Sequence, residues 1–170
     1  MKSHLAFINC EEKSTRAIPE VQEIFTVISS VPWQASRVEA VSNTGREVEW
    51  QEAYNRLIEL EFETRHWETQ PTILTSPVHK ADFAKNRIFV EVQFGTSPTV
   101  YRDFYKFHLG TVNKVLDLGV LILPTDQNKF FPARNPRSIR NMATYEYALE
   151  HLSALPIPVP ILLVGLRPEN

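Results

Sequence analysis

Two acidic side chains and one amide carry the most specific chemical signal in the sequence. Glu91 and Gln93 are two residues apart in an alternating segment, so their side chains project from one face of a strand, about 6.5 to 7 Å apart. Asp82 joins them if the preceding segment forms a hairpin with this strand. Two carboxylates, with the backbone carbonyl of Val92 between Glu91 and Gln93, make an oxygen-rich site of the kind that holds Mg²⁺.

A metal site of this kind suits the hydrolysis of a phosphodiester bond. Bound Mg²⁺ lowers the pKa of an attacking water and neutralises charge that develops on the phosphate. By themselves, however, the three residues also fit a salt-bridged hairpin surface. The cations of that alternative would be the basic residues of the same segment, Lys80, Lys85 and Arg87.

The hairpin that unites these side chains follows from the periodicity of residues 72–94. Two short strands meet at a turn containing Lys85 and Asn86. In the second strand one face carries Ile88, Val90, Val92 and Phe94, and the other carries Arg87, Phe89, Glu91 and Gln93. The candidate site therefore lies on one face of a sheet.

Helices and further strands surround the hairpin along the chain. Helical spacing of apolar residues predicts helices at 18–30, 47–65, 101–113 and 143–155. Apolar segments next to prolines predict strands at 115–123 and 161–166. This alternation of strands and helices predicts an α/β fold, in which a central mixed β-sheet is flanked by helices.

Length and composition favour a single domain over residues 1–170. A chain of 170 residues with 43% hydrophobic residues can bury a core. Its parts are a helical part at 18–66, a sheet core at 72–124, a basic loop at 126–141, and a C-terminal helix and strand at 143–166. No segment is apolar enough for a membrane span or a signal peptide, so we expect a cytoplasmic protein. Cys10 is the only cysteine, which excludes an intrachain disulfide and a cysteine-rich zinc site.

Positive charge is concentrated in one stretch of the chain, although the formal net charge is -2. Residues 80–145 contain ten basic and five acidic side chains, whereas the remainder contains eight basic and fifteen acidic ones. Such segregation suits a protein that turns one face toward a polyanion. A surface that meets only solvent can show the same pattern, so the charge distribution supports nucleic-acid binding without establishing it.

Residues 79–124 resemble a known family. The segments HKADFAKNRIFVEVQFG, YRDFYKFHLG and VLDLGVLILP are similar to the BglII/BstYI-like type II restriction endonucleases of the PD-(D/E)XK nuclease superfamily. In this resemblance Asp82 matches the motif aspartate, Glu91 the second acid, and Gln93 the third position. Lysine is usual there in the superfamily, but glutamine agrees with the BglII branch. Because an amide carries no positive charge and is no general base, Gln93 is expected to orient water.

The resemblance implies a restriction-endonuclease-like core and a homodimeric, Mg²⁺-dependent enzyme, with Mn²⁺ as an alternative metal. It implies cleavage of double-stranded DNA at a short palindromic site, which leaves 5′-phosphate and 3′-hydroxyl ends. Two subunits would match the two scissile phosphates that a palindrome relates by a two-fold axis. A DNA methyltransferase that protects host DNA would be the functional partner.

An early helix adds one more candidate catalytic residue. Related nucleases often place an extra acidic or polar side chain from such a helix beside the metal. Glu61 lies in an apolar row of the helix predicted at 47–65, so we include it in the catalytic set. The alternative for Glu61 is an ion pair with Arg65.

Candidate DNA-binding residues fall into three groups. Lys80 and Lys85 flank the hairpin and reach either the DNA backbone or only solvent. Beyond the catalytic strand lie Ser97, Thr99, Tyr101 and Arg102. The basic loop concentrates donors that suit base edges or phosphates. These are Lys129, Arg134, Asn135, Arg137 and Arg140.

Two other functions are compatible with the sequence. The same catalytic fold serves in mismatch or repair nucleases and in cleaving subunits of heteromeric systems, and the chain is short for a self-sufficient site-specific enzyme. Alternatively, a noncatalytic DNA-binding protein would carry the acids as structural residues. Discrete fragments, structure-dependent or partner-dependent cutting, and binding without cutting distinguish the three functions.

We expect alanine substitution of Arg134 or Arg137 to weaken DNA binding. If the arginine reads a guanine edge, the loss should be about 1–3 kcal/mol at the cognate site, with relaxed specificity. If it meets a phosphate, affinity should fall uniformly across sequences and the salt dependence should weaken. Titrations with cognate and shuffled duplexes at two salt concentrations separate these outcomes, and unchanged binding would exclude the loop from the interface.

Overall fold

A computed structural model of the protein describes residues 1–33, 39–41, 47–49, 51–73, 79–132, 139–156 and 158–168, with only the backbone at 39–41, 47–49 and 51–53. The strands are β1 (Lys2–Ile8), β2 (Glu39–Val41), β3 (Glu47–Glu49), β4 (Glu68–Thr69), β5 (Phe83–Lys85), β6 (Ile88–Val92), β7 (Leu118–Pro124) and β8 (Ile161–Arg167). The helices are α1 (Glu12–Arg16), α2 (Pro19–Ser30), α3 (Gln51–Glu63), α4 (Thr99–Val112), α5 (Gln127–Phe130) and α6 (Tyr145–Ser153).

A six-stranded mixed sheet runs through the molecule in the order β1-β8-β7-β6-β5-β4. Its centre is parallel, because β6 pairs with β7 and β7 with β8 in parallel. Antiparallel pairs complete both edges, with β1 on β8 at one edge and, at the other, β5 on β6 followed by β4 on β5. This topology confirms the predicted α/β fold with a central mixed sheet.

Apolar cores on both faces of the sheet explain why its central strands are hydrophobic throughout. One core packs α2 and α3 against alternate sheet residues such as Val90, Val120 and Val164. The other packs α4 and α6 against the intervening residues, including Phe89, Leu121 and Leu163. A strand that is covered on both faces buries every side chain, and β7 does so along its whole length. The described residues therefore form three layers, with helices on both sides of the sheet.

The hairpin between β5 and β6 has a tight two-residue turn. Asn86 and Arg87 both have positive φ angles, of 48° and 65°. Positive φ at both central positions is the geometry of the type I′ turn, whose twist matches antiparallel strands. The Arg87 side chain donates to Asp117 Oδ1 at 2.6 Å, which ties the turn to the segment before β7. The predicted hairpin is confirmed, with its turn centred one residue later than expected.

Several predicted elements differ from those observed. The N-terminal strand β1 was not predicted, since its residues are only partly buried and show little periodicity. The helix predicted at 47–65 covers both strand β3 and the shorter helix α3. No helix in the described residues combines the length and the apolar character needed to cross a membrane.

Gly119 in β7 sets how closely α4 approaches the sheet. A Cβ atom at this position would lie 2.5 Å from the ring atoms Cγ and Cδ2 of Phe107, which is fully buried on α4. The missing side chain lets the ring lie directly on the strand backbone. Because α4 also carries the polar residues nearest to Glu91, this contact helps to set the geometry of the candidate site.

Gly119→Ala should lower the free energy of unfolding by about 1–3 kcal/mol, because the added methyl group overpacks the helix–sheet contact. Urea denaturation measures the change. Phe107→Leu vacates part of the space, so the double variant should lose less stability than the sum of the two single variants. Additive losses would contradict the proposed steric conflict.

Candidate active site

Glu91 and Gln93 lie at the carboxyl end of β6 and face α4. Glu91 is 2% exposed and Gln93 6% exposed. Phe89, on the same face of β6, belongs to the core beneath α4, whereas Ile88 and Val90 belong to the opposite core. The alternation predicted for this strand is therefore confirmed, and it buries two polar side chains next to a helix.

Lys106 and Asp103 of α4 meet these two side chains. Lys106 Nζ lies 2.7 Å from Glu91 Oε1 and 3.1 Å from Asp103 Oδ1. The Gln93 amide donates from Nε2 to Asp103 Oδ2, and its Oε1 accepts from the Gly95 backbone N–H at 2.7 Å. Four buried polar residues thus form one connected network between β6 and α4.

Asp82 approaches the same strand end from the hairpin partner. Its Oδ2 accepts from the Val92 backbone N–H at 2.8 Å, directly before β5 begins. The N–H and C=O of one strand residue point toward the same neighbouring strand. The Val92 carbonyl therefore faces the side on which Asp82 lies, as a metal ligand at this position requires.

Burial and crowding of negative charge shift the ionisation of the acids. Burial, followed by the charges of Asp82 and Asp103, raises the pKa of Glu91 to about 9, although Lys106 opposes the shift. Burial also raises the pKa of Asp82, while the hydrogen bond from Val92 opposes it. If Asp82, Glu91 and Asp103 were all ionised, they would carry more negative charge than Lys106 alone balances.

This donor set fits a divalent cation that retains open coordination positions. Among the described residues, no cluster of three or more acidic, histidine or cysteine side chains has a geometry that would hold a metal. The available donors are the carboxyl groups of Asp82 and Glu91 and the carbonyl of Val92. Mg²⁺ usually binds proteins through one or two carboxylates and keeps water or phosphate oxygens as its other ligands.

Helix α3 presents residues to this site other than the one predicted. An open pocket of about 170 Å³ beside Asp82 and Val92 is also lined by Asn55, Glu59 and Gln70.

Glu61 is absent from that lining, and its carboxylate accepts from Arg65 at 2.7 Å and interacts with Ser30. At about 100° per residue, Glu61 points roughly 200° away from Glu59 around the helix. Glu61 thus forms the ion pair with Arg65 that was the alternative for this residue, and its catalytic role stays a prediction without support from the pocket lining.

The predicted DNA-binding residues after β6 lie beside the site. Ser97 donates from its backbone N–H to the Asn141 carbonyl at 2.7 Å, and Ala143 donates to Gly95 at 2.9 Å. These bonds join the loop before α4 to the end of the basic loop. Two candidate DNA-binding segments that are distant in sequence thus share one end of the sheet.

The side chains in these segments differ in their exposure to solvent and in the partners they contact within the protein. Tyr101 is 40% exposed, and its hydroxyl lies 2.8 Å from His151 Nδ1. Arg102 is exposed and reaches Asp103 at 3.3 Å. Thr99 donates its hydroxyl to the Thr96 carbonyl at the start of α4.

Among the predicted basic contacts, Lys85 is engaged elsewhere. Its ammonium donates to both carboxylate oxygens of Glu23, at 2.9 and 2.8 Å, and to the Arg65 carbonyl at 2.9 Å. It also lies at the hairpin turn, at the opposite end of β6 from Gln93. All three N–H donors of Lys85 thus contact the protein itself, and the DNA contact predicted for this residue stays a prediction that these contacts do not favour.

The remaining basic candidates are exposed or undescribed. Lys80, Lys129 and Arg140 are exposed to solvent. Arg134, Asn135 and Arg137 lie outside the described residues.

Sequence reasoning missed Asp103 and Lys106. They are three residues apart in a helix, and each precedes a core phenylalanine, Phe104 and Phe107. This oppositely charged pair on the apolar side of a helix was the signal that could have identified them.

Comparisons with known proteins agree with this fold. A family model described as restriction endonuclease BglII/BglIII matches residues 10–166. The crystal structure of restriction endonuclease BglII complexed with a DNA 16-mer superposes with a TM-score of 0.75 and 22% identity, over 100% of this chain and 78% of that one. The crystal structure of free BglII gives a TM-score of 0.68 and 23% identity, over 99% and 81% of the two chains. No curated protein sequence matches. The family match confirms the resemblance seen in residues 79–124.

The raised pKa of Glu91 makes the stability of the metal-free protein depend on pH. The folded protein keeps this proton up to about pH 9, whereas the unfolded chain loses it near the ordinary value of 4.5. Between these values the folded state binds more protons, so the free energy of unfolding should fall as pH rises.

Urea denaturation in EDTA across this pH range measures that slope. Glu91→Gln should flatten it, because the amide does not titrate. The same substitution at the exposed Glu12 of α1 serves as the matched control and should leave the slope in place. A slope that is unchanged in Glu91→Gln would show that another group causes it.

Proposed function

We propose a metal-dependent mechanism for this chain, which belongs to the BglII/BglIII family of restriction endonucleases and is a type II site-specific deoxyribonuclease. In this proposal it hydrolyses double-stranded DNA with Mg²⁺ held by Asp82, Glu91 and the Val92 carbonyl. The observation that carries this proposal is the buried carboxyl pair at the carboxyl end of β6. Its carboxyl oxygens suit a divalent cation, which would take the place of the proton that burial holds on Glu91. Mn²⁺ has the same preference for oxygen donors.

The protein's own groups would position the reactants. Lys106 occupies Glu91 Oε1, which leaves Oε2 for the cation. Val92 N–H holds Asp82 Oδ2, which leaves Oδ1 for the same purpose. Bound Mg²⁺ supplies Lewis-acid polarisation of the phosphate and a lowered pKa for the attacking water.

The hydrolysis itself balances without a further reactant. A water oxygen forms a bond to phosphorus while the bond from phosphorus to the 3′ oxygen breaks. The products are a 5′-phosphate and a 3′-hydroxyl, and the 3′ oxygen receives a proton.

Gln93 acts in this proposal chiefly by holding Asp103. Both ends of its amide are engaged inside the protein, by Asp103 and by Gly95. One amide N–H remains to orient water, so that expected role stays a prediction.

DNA would bind across the carboxyl ends of β6 and β7. This end carries the loop before α4, including Ser97, and the last residues of the basic loop at 139–141, and a backbone hydrogen bond from Ser97 to Asn141 joins them. The related BglII structure was determined with a DNA 16-mer. Tyr101 and Arg102, both exposed, would reach the duplex from the first turn of α4.

A homodimer would complete the enzyme. A palindromic site has two scissile phosphates related by a two-fold axis, and two copies of this single active site match that symmetry. A DNA methyltransferase that modifies the same site would protect host DNA. Sedimentation of the protein with and without duplex DNA measures the assembly.

Incubation with phage DNA and Mg²⁺ should yield discrete fragments that carry 5′-phosphates, and EDTA should abolish them. Asp82→Asn should lower cleavage by more than about 100-fold, since even outer partners of metal ligands contribute about 10–100-fold. The same change at Asp117, whose exposed carboxylate pairs with Arg87, is the matched control and should preserve cleavage.

Other digestion patterns would contradict the proposal in distinguishable ways. Smeared or structure-dependent cutting would indicate a repair nuclease. Tight DNA binding without cleavage, whichever divalent cation is supplied, would leave a noncatalytic DNA-binding protein.

A further inference from the structure

We propose that Lys106 is the internal counter-ion of the acidic cluster formed by Asp82, Glu91 and Asp103, and that it competes with the divalent cation for this cluster. In this role Lys106 is a positioning residue, because it acts on the reaction through Glu91. The inference rests on the proposed metal site and adds the residue that balances its charge in the metal-free protein.

The first argument is geometric. Lys106 Nζ bridges two carboxyl groups, with Glu91 Oε1 at 2.7 Å and Asp103 Oδ1 at 3.1 Å. Its side chain is only 8% exposed, so water cannot take the place of the two carboxyl groups as partners of the ammonium. A buried ammonium without partners would carry a large desolvation cost, and the two carboxyl groups remove it.

The second argument concerns the fixed orientation of Lys106. Asp103 is fully buried and is held on its other oxygen by the Gln93 amide. Gln93 is in turn held by the Gly95 N–H at 2.7 Å. Hydrogen bonds therefore connect the strand end through Gln93 to Asp103, an ion pair connects Asp103 to Lys106, and a hydrogen bond leads from Lys106 back to Glu91.

The third argument concerns charge. Gln93 contributes no charge to the site, and Lys106 is the buried cation among the described residues around it. Arg102 also reaches Asp103, at 3.3 Å, but its side chain is 60% exposed and therefore screened by water. A second positive charge brought into the cluster must share Glu91 with Lys106, so each cation weakens the binding of the other.

Lys106→Met and Lys106→Gln test this competition. Methionine keeps the length of the side chain, and glutamine keeps a donor for the carboxyl groups, but both remove the charge. Lys13→Met on α1 is the matched control, because Lys13 is exposed and distant in sequence from the site.

In EDTA, both Lys106 variants should unfold about 5–10 °C below the wild type and the Lys13→Met control, because a buried acidic cluster loses its cation. Thermal unfolding over a series of Mg²⁺ concentrations, without DNA, gives the apparent affinity for the metal. Both variants should bind Mg²⁺ at least about fivefold more tightly than the wild type. At saturating Mg²⁺ they should nevertheless cleave DNA about 10-fold more slowly, because Glu91 has lost its partner.

A purely structural role for Lys106 gives a different result. General damage to the site would leave Mg²⁺ affinity equal or weaker, and that outcome would overturn the proposal. Unchanged melting in EDTA would overturn it as well. If methionine prevents folding, the glutamine variant decides both measurements.

Failure of the proposed metal site is recognisable separately. In that case Mg²⁺ would change neither the stability nor the activity of the wild type. The comparison in EDTA would still decide whether Lys106 balances the acidic cluster.

Discussion

The contact between β6 and α4 is the constraint on which the site depends. It buries two carboxyl groups, an ammonium group and an amide in a layer that is otherwise apolar. Isolated burial of any of these charges would strongly destabilise the fold. The arrangement persists because each group satisfies its neighbour, so the position of Glu91 depends on the position of the helix opposite it.

Close packing holds that helix at the required distance. Gly119 allows the ring of Phe107 to lie on the backbone of β7, one residue along α4 from Lys106. On the other side of Lys106, Phe104 fills the same core. Apolar contacts and polar contacts therefore alternate along α4, so a substitution that shifts the helix in its apolar contacts also shifts Lys106 relative to Glu91.

The two ends of β6 serve different purposes. At the hairpin end, Lys85 and Glu23 form an ion pair that anchors α2 to the sheet, and Arg87 reaches Asp117. At the carboxyl end, Asp82, Glu91 and Gln93 converge, next to the loop before α4 and the end of the basic loop. Open sheets commonly bind ligands at the carboxyl ends of their parallel strands, where successive loops diverge. Lys85 and Arg87 at the hairpin end pair with carboxylates outside the candidate site, whereas Lys106 of α4 contacts Glu91 within it.

Sequence alone determined the features that depend on local periodicity. Alternation in residues 88–94 determined which side chains share a face, and helical spacing located α2, α4 and α6 to within a few residues. The resemblance of residues 79–124, which contain Asp82, Glu91 and Gln93, was enough to indicate the family. Tertiary structure decided what those patterns cannot encode, since the partner of a side chain depends on which elements pack together. It paired Glu61 with Arg65 and Lys85 with Glu23, and it brought Lys106 from a helix to a strand residue fifteen positions away. Tertiary structure also decided the raised pKa of Glu91, because the burial and the neighbouring charges that raise it exist only once α4 packs against the sheet.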